Sequence, residues 1–361
     1  MKENRGNISS KQMLTFMLSA QIGVGILSLP SDLAKEMGHD GWIAVVLSGV
    51  LTSIIIVILV KFLRRYNNKS ILQINEYLYG KTIGLIINFF FAVYLLATSA
   101  VVLRRFADVV RLIVLRLTPP LVLSLFMLIP TVYLVWYGLK PICRFANTLY
   151  VILFITSVIL ALVYKNIRTS FLMPVGQVDM GLILKGMYIA SYSYLGIEVI
   201  TIIYPKVMDK NKIMSSAVAG NMITCIFYTV VVAMTTALFG ENLLRSLELP
   251  IYSLVQTYRD PIVERIDLFF IALWFPVMGN AMRTYFFCSY VSMCQIFGIK
   301  KKGGFYAAFI VVLIIFSRIP KDYLDVIRYG SYSNMAGIAV VTFFILSYLF
   351  SFINRRGVVD K

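Results

Sequence analysis

Apolar residues fall in long runs along this chain, separated by short clusters rich in Lys, Arg, Asp, Gly and Pro. A helix needs about 20 mostly apolar residues to cross the hydrocarbon of a bilayer. Ten runs qualify, near residues 12–34, 42–62, 83–103, 119–138, 142–164, 184–204, 215–239, 266–290, 305–318 and 333–353, the ninth being the shortest. Hydrocarbon offers no water to backbone N–H and C=O groups, so each run is predicted to be helical. The pattern predicts an all-α membrane protein of ten transmembrane helices, a single polytopic domain over 1–361. The first run follows Lys2, Arg5 and Lys11 as a secretory signal would, but no A-x-A cleavage site follows, so it is read as a retained span. The stretch 241–265 has apolar residues near helical spacing broken by Pro250 and Pro261, and predicts a short amphipathic helix on the outer surface.

Two runs carry interruptions in matching places. The first holds "IGVGIL", Ile22 to Leu27, followed by Pro30; the sixth holds "SYSYLGIE", Ser191 to Glu198. Glycine costs a helix about 1 kcal/mol and proline about 3. Ten spans divide into two repeats of five, about 12–164 and 184–353, in which spans 1 and 6 correspond. Gly- or Pro-interrupted spans at corresponding positions of inverted repeats point to a site at the bilayer midplane. Unwinding exposes backbone groups, and the half-helix that follows presents a partly positive N-terminus. A carboxylate can sit on those N–H groups, and freed carbonyls and hydroxyls can take an ammonium. The candidate ligand-binding residues are Gly23, Val24, Gly25 and Ile26 with Ser191, Ser193, Tyr194, Leu195 and Gly196. The competing reading is that the glycines only let helices pack closely. Pro30 has a local reading too, a kink that frees the carbonyl of Ile26.

Composition supports the membrane assignment. The chain is 59% hydrophobic and 14% charged, with mean hydropathy +0.82; soluble chains are about 45–50% apolar and about a quarter charged. The net charge of +17 could suggest a nucleic-acid binder, but that needs a basic patch on a soluble face. Here the charges lie between apolar runs and set topology, so no nucleic-acid partner is expected. With the N-terminus cytoplasmic, nineteen Lys and Arg against four acids lie inside, and fourteen against twelve lie outside. Both termini are therefore expected in the cytoplasm. Arg104, Arg105, Arg111 and Arg116 in an outer loop are the exception; either the third helix runs on there or some of them face a wet cavity.

Two ionisable residues fall within spans, Glu198 and Arg283. Such residues are costly and are functional candidates. They are read as gating or ion-coupling candidates, paired or linked by water, with a fixed ion pair between helices as the alternative. Cys143, Cys225, Cys288 and Cys294 lie in or beside apolar runs and read as reduced thiols. A single His39 excludes a His-rich metal site. No Walker sequence, G-x-S-x-G, HExxH or paired carboxylate occurs. Neither an enzyme nor a cofactor nor a metal is expected.

Three segments carry a family resemblance: "SSKQMLTFMLSAQIGVGILSLP" (Ser9–Pro30), "SYSYLGIEVI" (Ser191–Ile200) and "LPIYSLVQTYRDPIVERIDLFFIALW" (Leu249–Trp274). The first two resemble the amino acid–polyamine–organocation superfamily, and the third resembles the GerAB-type B subunit of spore germinant receptors. The likeness covers essentially the whole chain. It implies a LeuT-like fold with broken helices 1 and 6, and a multi-pass location in the spore inner membrane with both termini on the core side. It also implies sensing of a small nutrient, often an amino acid, with an A-type subunit and a C-type lipoprotein as partners. Gly23 to Ile26 and Ser193 to Gly196 match the superfamily's substrate-facing segments. Val24 stands where amino acid transporters often have Ser, Thr or Ala, which leaves fewer hydroxyls for a zwitterion. A proton- or sodium-coupled amino acid permease is the alternative function.

Overall fold

The computed structural model describes residues 7–67, 69–163, 167–258, 265–299 and 303–354. The first apolar run folds as two helices, α1 (Ser10–Gln21) and α2 (Gly25–Met37). Ser9 and Gln12 start α1 with a reciprocal capping box, which satisfies two donors that a helix start leaves open. The second helix runs on through Pro30, so the interruption lies upstream of the proline, at the glycines. A 3-10 turn at Gly38–Asp40 leads into α3 (Gly41–Arg65).

A short α4 (Ile71–Tyr79) follows, too brief for hydropathy to single out. It is pinned to α5 (Lys81–Ile113) by Asn75, whose amide donates to Asn88 Oδ1 at 2.8 Å. At Gly84 a side chain would strike the Glu76 backbone, 2.7 Å from its Cα. The 33 residues of α5 span about 50 Å at 1.5 Å per residue, well beyond a hydrocarbon core of about 30 Å. The third helix therefore continues past its expected end at residue 103 and carries Arg104, Arg105 and Arg111 on its last turns. Arg104, Arg111 and Arg116 also line a polar cavity of about 810 Å³ with Glu248 and Lys321. The helix runs on, and three of these arginines line a cavity at its end.

The fourth run is α6 (Pro120–Tyr137), and the fifth is divided at Asn147 into α7 (Leu139–Ala146) and α8 (Thr148–Val163). The sixth is also divided, into α9 (Met180–Tyr194) and α10 (Val199–Ile203). The remaining helices are α11 (Ile213–Leu244), α12 (Pro250–Gln256), α13 (Ile266–Ile296), α14 (Gly303–Arg318) and α15 (Tyr323–Ile353). The expected short helix is α12, which buries its apolar side, Ile251, Leu254 and Val255, against the bundle and leaves Gln256 exposed. Pro261, at the far end of that expectation, lies outside the described residues, as do Lys2, Arg5 and the charged cluster Lys300–Lys302.

Eight helical stretches among the described residues are long and apolar enough to cross a membrane, and α14 is a shorter apolar helix. One of the eight, Gly25–Arg65, is two elements joined by the Gly38–Asp40 turn, so the count is compatible with ten crossings. Large apolar side chains such as Phe90, Phe126, Phe154 and Phe269 stand exposed on several helices. Exposed apolar surface on this scale suits lipid rather than water.

The chain start and the segment after α10 share one face of the bundle, where Ile8 N–H donates to the Lys206 carbonyl at 2.9 Å. We call that face proximal and the opposite one, with the Gly38–Asp40 turn, distal. On the distal face the imidazole of His39 lies 3.3 Å from Glu241 Oε2 and 2.6 Å from the Pro174 carbonyl. The buried Asp40 carboxylate accepts from the N–H groups of Gly176 and Gln177. These bonds clamp the segment before α9 onto the turn and the end of α11. None of the four cysteines forms a disulfide.

Candidate ligand-binding site

α1 ends with Ile22 N–H donating to the Leu18 carbonyl, and the helix resumes with Leu27 N–H on the Val24 carbonyl. Between them the chain unwinds, as the glycines predict. Buried polar backbone must find partners, and two carbonyls at this break are taken by side chains. The Tyr228 hydroxyl donates to Gln21 O at 2.9 Å, and Trp274 Nε1 donates to Gly23 O at 3.2 Å. A Cβ on Gly23 would lie 2.8 Å from that of Ala281. No side chain caps the start of α2, so its partly positive end faces whatever occupies the space in front of it.

The break in the sixth run is closed by its own acid. Glu198 is fully buried; its Oε2 accepts from Gly196 N–H and its Oε1 from the Tyr94 hydroxyl, both at 2.8 Å. Gly196 has φ +112, and a Cβ there would fall 2.6 Å from Ala20 Cβ. Only glycine suits both demands. Gln21 joins the two breaks: its amide donates to the Tyr194 carbonyl at 3.2 Å and to Asn221 Oδ1 at 3.0 Å. Its carbonyl accepts from Thr224 at 3.0 Å, and Asn221 donates onward to Gly49 O and Ser53 Oγ.

At Ala20 and Gly196 the two breaks are in contact, with no room for a ligand. Space opens next to them, toward the distal face. A cavity of about 260 Å³ is lined by Gly25, Ser28, Arg105, Tyr192, Ser193 and Asn334 among others. The Cβ that Gly25 lacks would lie 3.1 Å from Ser193 Oγ. Ser193 is 2% exposed, and its hydroxyl has no hydrogen-bond partner.

The structure thus divides the residues that the sequence groups together. Gly25 and Ser193 share this cavity. Ser191, Tyr194 and Leu195 line a different, mostly apolar cavity of about 380 Å³ between α3, α9 and α15. The Ser191 hydroxyl is occupied by the Tyr188 carbonyl and Asn334, and the Tyr194 hydroxyl by the Val45 carbonyl. Val24 and Ile26 are buried in the core, and Gly23 and Gly196 serve close packing.

Glu198 and Arg283 do not pair directly. Arg283 donates to Asn280 Oδ1 at 2.6 Å and lies over the Phe145 ring at 4.6 Å, whereas Glu198 faces Tyr94 on α5. Two donors meet Glu198 and one acceptor meets Arg283, each without the other, and residue count along a span does not reveal which way each side chain points. Among the described residues no cluster of three or more His, Cys, Asp or Glu is placed to hold a metal.

Sequence reading missed Gln21 and Trp274, and it singled out Arg105 and the polar run that holds Tyr192 without joining either to the cavity beside Gly25. Arg105 carried a signal, a basic residue out of place in the topology. Gln21 carried another, a long amide directly before the break.

Comparison with known proteins places these features in a wider context. A family model described as spore germination protein matches residues 7–326. Spore germination protein B2 of Bacillus subtilis (strain 168) is 24% identical over 99% of this chain and 98% of its own length. Spore germination protein GerQB of Bacillus cereus is 27% identical over 86% and 85%. Among solved structures, MhsT in complex with L-phenylalanine has TM-score 0.60 at 15% identity, covering 96% of this chain and 98% of that one. A manganese transporter of Eremococcus coleocola has TM-score 0.64 at 11% identity, covering 94% and 78%. At such identities the likeness carries the fold alone: a multi-pass transporter fold of the LeuT type.

Proposed function

This chain belongs to the spore germination protein family, and from that membership we propose that it is the nutrient-sensing membrane subunit of a germinant receptor. A small nutrient, an amino acid, binds in the cavity beside the two helix breaks and triggers germination. The observation that carries this reading is the meeting of Gly25 and Ser193: the uncapped start of α2 and a buried, unpartnered hydroxyl lie side by side in the wall of one cavity. A ligand that binds one arrangement of the helices better than another shifts the population toward it, and a receptor needs no more than that. The chain is arranged as two five-crossing repeats, about 12–164 and 184–353, with both termini on the core side of the spore inner membrane. It acts with an A-type subunit and a C-type lipoprotein. Glu198, bonded to the break itself, is the gating candidate of the two intramembrane charges. The test is a Gly25→Leu variant in spores, whose side chain would meet Ser193 and Tyr192. The nutrient response should be lost with the protein level intact; a full response would overturn the site.

A second reading, a proton- or sodium-coupled amino acid permease, is favoured by the transporter fold and by the L-phenylalanine held by MhsT. Robust uptake of a labelled amino acid by the purified chain in liposomes would establish it.

A further inference from the structure

We propose that Arg105 recognises an anionic group of the ligand, so that the cavity beside the helix breaks selects molecules bearing a carboxylate. This rests on the reading of that cavity as the nutrient site, and deepens it by naming the group that is read.

Arg105 projects from α5 into the cavity that Gly25 and Ser193 line. Its guanidinium makes no hydrogen bond or ion pair among the described residues, and its Nε is buried without a partner. Tyr192 lies beneath it, with the guanidinium carbon 5.8 Å from the ring centroid. The lack of a side chain at Gly330 keeps the space open: a Cβ there would lie 3.6 Å from both Arg105 Nη2 and the Tyr192 hydroxyl. Asp32 and Glu36 line the same cavity, as does Lys35, but the acids near Arg105 are each engaged by another cation. Asp108 pairs with Arg104 at 3.2 Å, Asp32 with Lys35 at 3.3 Å and Glu36 with Lys185 at 2.6 Å. Arg105 is therefore a partly buried cation that makes no ion pair of its own, an arrangement that an arriving anion would improve.

The other donors of the cavity agree in sign. The hydroxyl of Ser193 is unpartnered, and the start of α2, a 13-residue helix, is uncapped. Helix N-termini attract anions, and a guanidinium presents a planar fork that matches the two oxygens of a carboxylate. Span 1 supplies no hydroxyl at Val24, but it does not need one if a cation stands on the opposite wall. A sugar or a nucleoside would leave the guanidinium desolvated and unpaired, so neutral nutrients are disfavoured.

The experiment is a thermal-shift titration of the purified full chain in lipid nanodiscs. The probes are the common L-amino acids, each beside its C-terminal amide, with glucose and inosine as neutral molecules. Loss of a charged hydrogen bond weakens binding by about ten- to a hundred-fold. The wild-type chain should bind at least one amino acid at least ten-fold more tightly than the matching amide, and neither neutral probe. Arg105→Gln should lower amino acid binding to the level of the amide while leaving amide binding unchanged, and Arg105→Lys should recover part of it. Equal binding of acid and amide, tighter binding of glucose or inosine, or no binding of any probe would overturn the inference. If Gly25→Leu abolishes binding and Arg105→Gln does not, carboxylate recognition fails and the site stands; if Gly25→Leu changes nothing, the site itself fails. Should Arg105→Gln lower the ligand-free melting temperature sharply, the comparison of acid and amide on the wild-type chain decides alone.

Discussion

The side-chain amide of Gln21 donates to the main-chain carbonyl of Tyr194 at 3.2 Å, tying the end of α1 to the end of α9. The break after α9 leaves a main-chain carbonyl that the end of α1 satisfies. Gln21→Leu keeps the approximate volume and leaves Tyr194 O, Asn221 Oδ1 and the Thr224 hydroxyl short of a partner. Each buried group left unsatisfied costs about 1–3 kcal/mol, and hydrogen bonds within membranes often fall at the low end. A loss of about 2–4 kcal/mol is expected, read as a lower melting temperature in detergent. An unchanged melting temperature would mean that the network does not hold the breaks.

Gly196 carries two independent demands, φ +112 and a 2.6 Å approach to Ala20. Gly196→Ala should destabilise the chain by about 2–4 kcal/mol from strain and overlap together. Pairing it with Ala20→Gly removes the closest contact and leaves the 3.0 Å approach to the Ala20 carbonyl carbon together with the backbone strain, so the double variant should recover part of the loss and not all of it. Full recovery would show that the backbone angle is immaterial.

Exchanging the intramembrane charges, Glu198→Arg with Arg283→Glu, should not restore function, because the two residues contact different partners. Glu198→Gln alone replaces one of two accepting oxygens by a donor; the remaining oxygen can keep Gly196 N–H while the Tyr94 hydroxyl turns from donor to acceptor, so only a small loss, about 1 kcal/mol, is expected. A working exchange variant in a germination assay would instead require a direct pair in some other state.

The turn at Gly38–Asp40 should respond to pH through His39. Burial pushes its pKa down, but the Pro174 carbonyl, Glu241 and Asp40 outweigh that and hold it above the ordinary 6.5. A raised folded-state pKa contributes stability that is fully present below about 6.5 and disappears as pH rises through the folded value. Arg245, 3.8 Å from Glu241, competes for the same carboxylate and limits the effect. The melting temperature of the wild type should exceed that of His39→Gln by more at pH 5.5 than at pH 8.5. The reverse order would contradict the assignment.

The membrane class, the approximate span positions and the two breaks were legible because they depend on hydropathy and on glycine, both of which act locally. Ser193 and Gly25 were legible as polar and small residues within apolar runs. What escaped depended on where side chains point. Arg105 read as one of four arginines on a continuing third helix or at a wet cavity, and the sequence does not show that it turns toward Gly25 and Ser193. Ser191 and Tyr194 neighbour Ser193 along the chain, yet a helix turns them onto another face. The pairing of Glu198 with Arg283 was inferred from depth alone, and depth says nothing of azimuth around a helix.

The bonds of Gln21 and Asn221 reach into α1, α9, α11 and α3, so one set of contacts bolts four crossings into a block. The block is fastened to α5 and α13 more sparsely, by Tyr94, Trp274 and Thr284 with one hydrogen bond apiece. Ser193 belongs to the block and Arg105 to the wall opposite, so the cavity lies along the seam between them. A molecule held by both residues acts as a strut across that seam. Its length, set against the gap, fixes how far the two parts stand from one another.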